Sequence, residues 1–331
     1  MSGAVAVRAS PRGAPRVTLW ALVSAAAVIA PLLVAETSLA LQNMVLAAAY
    51  VLMALGLNVV VGFAGLLDLG YVAFFAIGAH VAAWFGSAFW GVHLNFLAIL
   101  AVAVVATTAA GVLIGVPTLR LRGDYVGIVT LAFGEIIGQV VADGRDIHVF
   151  GSTLTGGPQG ISAIDRIDLP LLAPFGALDQ RSWYWFALAL VALVILVNVR
   201  LRDSRLGRAW IALREDEGAA ATAGVPIVRT KLLAYGVGAA LGGESGAFLA
   251  SYLGTVNPHQ FTFSFSIFIL AMVVIGGLGS IRGVVLGALV LSVVNNYVLH
   301  EIDLSQIAAG IYGFLLVIIM LLRPQGLLPG R

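Results

Sequence analysis

The sequence predicts an all-α, polytopic integral membrane protein with about ten transmembrane helices and both termini in the cytoplasm. Three observations carry that expectation. The chain of 331 residues is 60% hydrophobic and only 10% charged, with a mean hydropathy of +1.03, whereas a soluble domain is about 25% charged. Apolar runs long enough to cross a bilayer recur along it. Its arginines cluster in alternate connections between those runs.

The elements follow in order. A polar tail, 1–16, carries Arg8, Arg12 and Arg16 and precedes an apolar run at 17–35. A basic start before an apolar run also fits a cleaved signal peptide, but this run is long and no clean small-x-small site ends it. Further spans are expected at 41–61, 66–86, 96–116, 124–142, 183–199, 231–253, 263–279, 284–299 and 305–322. The transmembrane domain is therefore 17–326, followed by a tail at 327–331. It is interrupted by an outer loop at 143–182 and a cytoplasmic loop at 200–230. The stretch GFAGLLDLG (62–70) reads as a tight turn or as a break inside a discontinuous helix. The 39 glycines suit close-packed membrane helices.

The positive-inside rule supports this arrangement. With the N-terminus in the cytoplasm, all of the 18 basic residues except Arg145, Arg166 and Arg181 fall on the inner side. An odd miscount of spans would scatter them over both faces.

Several chemistries are excluded. The single lysine, Lys231, follows Thr230, so no G-x-x-x-x-G-K-[ST] phosphate loop exists. No G-x-S-x-G elbow is present; Gly243-Glu244-Ser245-Gly246 lacks the spacing. His80, His93, His148, His259 and His300 are dispersed, with no paired spacing for a metal. His148, His259 and His300 are expected near the outer surface. There is no cysteine and no basic nucleic-acid face. No catalytic residue, metal site or bound cofactor is expected in this chain.

The longest strongly charged run is 203–226, DSRLGRAWIALREDEGAAATAGVP. Around it Arg200, Arg202, Arg205, Arg208, Arg214, Arg229 and Lys231 face Asp203, Glu215, Asp216 and Glu217. Ala209, Trp210, Leu213, Ala220 and Ala221 recur at roughly helical spacing, which describes a short amphipathic helix. Such a helix between spans is shaped to dock onto something outside the membrane. The plainer reading is a solvated loop, positive because it lies inside.

Other features are weighed the same way. Gly238, Gly242 and Gly246 are four apart, as are Gly279, Gly283 and Gly287, and each set is expected to line one helix face for packing. Asn257-Pro258 breaks the chain between two spans, as a simple turn or as a dipole-bearing break beside a pathway. Asp68, Glu135 and Glu244 are acidic groups within or beside spans, which are costly there and point to pathway or gate roles. Against that, Asp68 also fits a helix cap, Glu135 a paired side chain, and Glu244 a packing or water-lined position. The outer stretch GSTLTGGPQGI (151–161) is too short and glycine-rich for a helix, and reads as a docking surface, a plug or a connector.

Glu217-Gly218-Ala219-Ala220 followed by Gly224 resembles the EAA loop of ABC importer permeases. Five stretches together resemble the branched-chain amino acid ABC permease family of the LivH/LivM type, closer to LivM. They are GLLDLGYVAFFAIGAH (65–80), LRLRGDYVGIVTLAFGEII (119–137), LTGGPQGI (154–161), SRLGRAWIALREDEGAA (204–220) and LAMVVIGGLGSIRGVVLGA (270–288). The resemblance implies a bacterial inner-membrane permease that pairs with a second permease, two ATPase subunits and an extracytoplasmic binding protein, and takes up leucine, isoleucine and valine. ATP and magnesium would sit on the ATPases. It makes Arg205, Gly207, Arg208, Arg214, Glu215, Asp216, Glu217, Ala220 and Gly224 the ATPase-coupling helix. It makes Thr155, Gly156, Gly157, Pro158 and Gln159 the docking loop for the binding protein. A urea, amide or other small-solute permease of the same family, and a stand-alone secondary transporter using Asp68, Glu135 or Glu244, are the alternatives.

Overall fold

The fold is a computed structural model that describes residues 25–119, 121, 123–149, 151–168, 175–176, 179–299, 308–323 and 325–328. The tail 1–16, the start of the first expected span, Arg120, Arg122, His300 and residues 329–331 lie outside the described residues.

Twelve helices are present among the described residues. They are α1 (25–33), α2 (Leu39–Leu57), α3 (Val72–Phe85), α4 (Phe96–Thr118), α5 (Asp124–Asp143), α6 (Gln180–Asp203), α7 (Arg205–Glu215), α8 (Glu217–Thr222), α9 (Ile227–Leu253), α10 (Phe263–Gly276), α11 (Ile281–Val293) and α12 (Ala308–Leu322). Six helical segments are long and apolar enough to cross a membrane, and Val72–Phe85, Ile281–Asn296 and Gly310–Leu322 are shorter apolar helices. The three two-stranded pairs, β1–β2 (Gly86–Ser87, Val92–His93), β3–β4 (His148–Val149, Ser152–Thr153) and β5–β6 (Ile161–Ser162, Thr255–Val256), are antiparallel and all lie at one end of the bundle.

The helices form an inner and an outer set. The windows at Leu39–Phe63 and Ile227–Leu253 are 83% and 78% buried, whereas that at Phe96–Thr118 is 28% buried. Helix α9 packs along α3, α4 and α2, and α10 against α11, α12 and α2. The outer set exposes leucine, valine and phenylalanine, as at Leu113, Leu193 and Phe314. This is the inversion expected where the solvent around the perimeter is lipid.

Small residues set how closely α9 approaches its neighbours. A Cβ built on Gly238 would stand 2.3 Å from Val60 Cγ2, one on Gly242 3.1 Å from the Tyr71 ring, and one on Gly246 2.2 Å from the Phe75 carbonyl oxygen. The expected glycine stripe therefore packs α9 onto α2 and α3. The second stripe needs correction. Gly283 and Gly287 do lie on α11 against Gly276 and Met272 of α10, but Gly279 precedes the helix, in a turn with φ +78°. Helix α10 stops at Gly276, before 279, because Gly277 at φ +118° takes a conformation other side chains avoid.

Two further boundaries differ from expectation. The span at 66–86 is helical only from Val72, and the charged run at 203–226 forms two helices. Asp216 takes an extended conformation (φ −158°) and its Oδ1 accepts from Ala219 N–H, capping α8.

Gly246→Ala is expected to destabilise the protein by about 1–3 kcal/mol, because the added methyl meets backbone that has nowhere to go. Gly313→Ala, where nothing lies within 4 Å, is expected to be neutral. Heat-induced aggregation of the detergent-solubilised variants compares the two.

Candidate functional site: an interrupted span and a charged helix pair

Helix α2 ends in a π-helical turn, Asn58–Phe63, and the chain then runs without helix through 64–71 before α3 begins. At 14 residues, α3 is about 21 Å long, short of the roughly 30 Å of a bilayer core. The stretch 64–71 leads into α3 and is packed among the helices, with Leu66, Asp68 and Gly70 buried. Backbone of this kind tolerates a membrane only if its polar groups are satisfied by protein. Leu66 N–H donates to the Val60 carbonyl at 3.0 Å. Leu69 N–H donates to Thr130 Oγ1 of α5 at 3.0 Å, and Val72 N–H to Ser266 Oγ of α10 at 3.2 Å. Gly70 lies so near α5 that a Cβ on it would overlap the Thr130 carbonyl at 1.8 Å.

Asp68 sits in the middle of this stretch and is 2% exposed. Its Oδ1 accepts from Gly70 N–H at 3.0 Å, while Oδ2 is buried without a partner among the described residues. It therefore braces the break. It does not cap α3, whose N-cap is Tyr71 and has no side-chain cap bond. The Tyr71 hydroxyl instead donates to the Gly238 carbonyl of α9 at 2.9 Å. Glu244 is buried on α9, with Oε1 unpartnered among the described residues. Glu135 is exposed on α5, on a strip shared with Tyr125, Ile128, Ile136 and Gln139. Among the described residues no hydrogen bond or ion pair joins these three carboxylates.

The charged helices have an inner and an outer face. Gly207, Trp210, Leu213 and Ala220 are buried, while Ala221, expected on the apolar side, is exposed. Trp210 Nε1–H donates to the Thr230 carbonyl of α9 at 2.9 Å. Gly207 lets α7 fold back on α6, since a Cβ there would lie 2.2 Å from the Leu201 carbonyl. Glu217 points inward, where its Oε1 accepts from Lys231 Nζ at 2.8 Å, and Lys231 itself is 4% exposed. Arg214 is exposed as a residue, but its Nη1 donates to the Gly62 carbonyl at 2.5 Å. Arg205, Arg208, Glu215 and Asp216 remain exposed, and Gly224 (φ +86°) turns the chain toward α9. The Arg202 pair holds the exposed Asp203 carboxyl below its usual range.

At the opposite end the glycine-rich loop is strapped down. Thr155 is buried, its Oγ1 donating to the Val141 carbonyl and accepting from Gly157 N–H. Gly156 and Gly157 permit a tight turn, a Cβ on Gly156 falling 1.8 Å from the Gly160 carbonyl. Pro158 and Gln159 stay exposed on that turn. Strand β5 pairs with β6, so this loop is joined to the turn at Pro258–Gln260. That turn has a capping box: Asn257 Oδ1 accepts from His259 N–H, and Gln260 Oε1 from Asn257 N–H. Beside it lies a cavity of about 520 Å³, whose lining includes Tyr50, Phe265, Phe268, His259, Gln260 and Ser264. His148 and His259 are exposed, as expected. Among the described residues no group of histidine, aspartate and glutamate is placed to hold a metal.

Sequence reasoning missed Thr130 and Asn58, whose side chains satisfy interrupted backbone. Their only signal is a polar group inside an apolar run.

A helical chain with six helices long and apolar enough to cross a membrane, a non-helical stretch packed among them and a charged helix pair clamped to one end has the build of a membrane permease. Residues 39–322 match the family described as "Branched-chain amino acid transport system / permease component", and the chain belongs to that family. It is 40% identical to the high-affinity branched-chain amino acid transport system permease protein LivM of Salmonella typhimurium, over 92% of this chain and 72% of the relative. It is 41% identical to LivM of Escherichia coli, over 85% of this chain and 68% of the relative. Similarity to LivH of Salmonella typhimurium is weaker, at 27% over 87% of this chain and 93% of the relative. No solved structure matches.

The Glu217–Lys231 pair is asymmetric, with side chains 39% and 5% exposed. Glu217→Ala strands a buried ammonium, an expected loss on the order of 1–3 kcal/mol. Lys231→Met frees a carboxylate that water reaches, and is expected to cost less. Thermal melts of the two solubilised variants give the order.

Proposed function

We propose that this chain is one of two permease subunits that form the pathway of an ATP-driven importer for leucine, isoleucine and valine. The second subunit is a homologous permease. Two ATPase chains, which hold ATP and magnesium, dock on the α7–α8 end, and an extracytoplasmic binding protein delivers substrate to the opposite end. In this reading the chain crosses the bacterial inner membrane about ten times within a domain at 17–326, with both termini in the cytoplasm.

The observation that carries the proposal is the charged helix pair. Trp210 and the Glu217–Lys231 contact fasten it to α9, while Arg205, Arg208 and Glu215 are left facing outward. A rigid handle with an exposed charged face is what mechanical coupling to a separate motor requires. Family membership over 39–322 supports the same assignment. Pro158 and Gln159, on the strapped loop, are the proposed contact for the binding protein. Asp68 and Glu244 belong to the gate by virtue of burial at the break and beside α3, and Glu135 to the pathway wall by virtue of its exposure.

One observation favours a second reading. Asp68 and Glu244 are buried, each with an oxygen that nothing satisfies among the described residues, as ion-coupled transporters use intramembrane carboxylates. A stand-alone secondary transporter would take up substrate in liposomes under an ion gradient without ATPases. A pathway of small and apolar residues also suits urea or amides. Calorimetry on the partner binding protein with leucine, urea and short amides separates those substrates.

Arg208→Glu is expected to leave membrane insertion intact and to lower ATP-dependent leucine uptake at least about tenfold, the scale of one charge-assisted contact. Uptake at the unmodified rate in vesicles would sink the coupling role.

A further inference from the structure

Arg214 has a place in the fold that a charged run does not suggest. Besides its bond to the Gly62 carbonyl at 2.5 Å, its stem lies across Gly65. A Cβ built on Gly65 would stand 2.7 Å from Arg214 Cγ, and one on Gly279 would stand 3.0 Å from Arg214 Nη1. Gly65 (φ +69°) and Gly279 (φ +78°) both occupy conformations that favour glycine. Gly279 N–H in turn donates to Asn58 Oδ1 at 2.9 Å, and Asn58 opens the π-helical turn that contains Gly62. One side chain thus joins α7, the end of α2 and the turn between α10 and α11.

The surroundings of this junction are loose. A cavity of about 230 Å³ lies there, lined by residues that include Gly65, Leu67, Gly123, Arg214, Glu217 and Lys231. Empty space transmits no force, whereas a charge-assisted hydrogen bond to a carbonyl left free where a helix ends does. From Gly62 the chain leads directly into 64–71, which is hydrogen-bonded to Thr130 and packed on Gly134 of α5.

We propose that Arg214 is the positioning residue that ties movement of α7 to the interrupted span, and through Thr130 to α5. The proposal rests on the reading of α7–α8 as the ATPase contact. Displacement of α7 draws the Gly62 carbonyl with it, and the cavity gives 64–67 room to follow.

The chain has no cysteine, so a single Leu67→Cys reports on the segment. The test uses the assembled importer carrying that substitution and measures maleimide labelling with and without a non-hydrolysable ATP analogue. With Arg214 intact, nucleotide is expected to change the labelling rate several-fold. Arg214→Met keeps the stem on Gly65 and removes the donor. It is expected to retain the ATPases at normal yield, to label independently of nucleotide, and to lose uptake about tenfold, the scale of one charge-assisted hydrogen bond. Arg214→Lys restores a donor and is expected to restore nucleotide-dependent labelling. Nucleotide-dependent labelling in Arg214→Met overturns the proposal. So does loss of the ATPases from that variant, which would make Arg214 a docking contact, and so does an Arg214→Lys variant that behaves like Arg214→Met. If Arg214→Met does not accumulate in the membrane, Arg214→Leu, which also lacks a donor, takes its place; loss of nucleotide dependence supports the proposal and its retention overturns it. Arg208→Glu, run in parallel, separates the two levels. If it uncouples uptake while Arg214→Met behaves normally, only this inference fails. If it leaves uptake intact, the ATPase reading fails and this inference with it.

Discussion

The constraint on which the rest of the structure depends is the peptide backbone of 64–71. Inside a membrane, a chain that leaves helical geometry has no water to satisfy its amides. Thr130, from a helix distant in sequence, supplies one of the missing acceptors and Asp68 a second from within the stretch, while Ser266 of α10 accepts from Val72 N–H where α3 begins. For those groups to arrive, α5, α10 and α3 must pack around the break with little between them. Gly70 against Thr130 and Gly134 is therefore a condition of the break, because even a methyl group there would push α5 out of hydrogen-bonding range.

The same economy governs α9. It runs through the middle of the bundle and meets α2, α3 and α4 through glycine. In lipid no hydrophobic drive pulls helices together, so closeness of approach and hydrogen bonds between helices must do so. The Tyr71 hydroxyl on the Gly238 carbonyl and the Ser245 hydroxyl on the Ala49 carbonyl are bonds of that kind. Because α9 also holds Trp210 and Glu217 at its start, the charged helix pair is fastened to one of the two most buried spanning helices. A load applied to α7–α8 is thus borne by the centre of the bundle and not by a loose loop.

Much of this was legible before any coordinates. The apolar runs at 41–61, 96–116, 124–142 and 183–199 became α2, α4, α5 and α6 because length and hydropathy alone distinguish a helix that must cross lipid. The spacing of Gly238, Gly242 and Gly246 predicted a packing face, since four-residue repeats fall on one side of a helix whatever surrounds it. The stripe that included Gly279 misled for the converse reason. Spacing carries no record of where a helix begins, and Gly277 had already ended α10. Likewise 203–226 read as one helix because Asp216 is compatible with one until its side chain folds back to cap the next.

What the sequence determined by itself is therefore class and the rough order of spans, which are properties of composition and local pattern, and, through the resemblance of five stretches, the family. Tertiary structure alone decided which charges face out and which face in. Lys231 and Glu217 look like two members of a solvated cluster, yet one is buried and the other holds it; Arg214 looks like a surface arginine, yet it reaches the end of α2. The physical reason is that a charge's role depends on its partner, and these partners lie 14 and 152 residues away. No local pattern encodes such a separation; only the packing of α7 and α8 onto α9 and α2 brings the groups together.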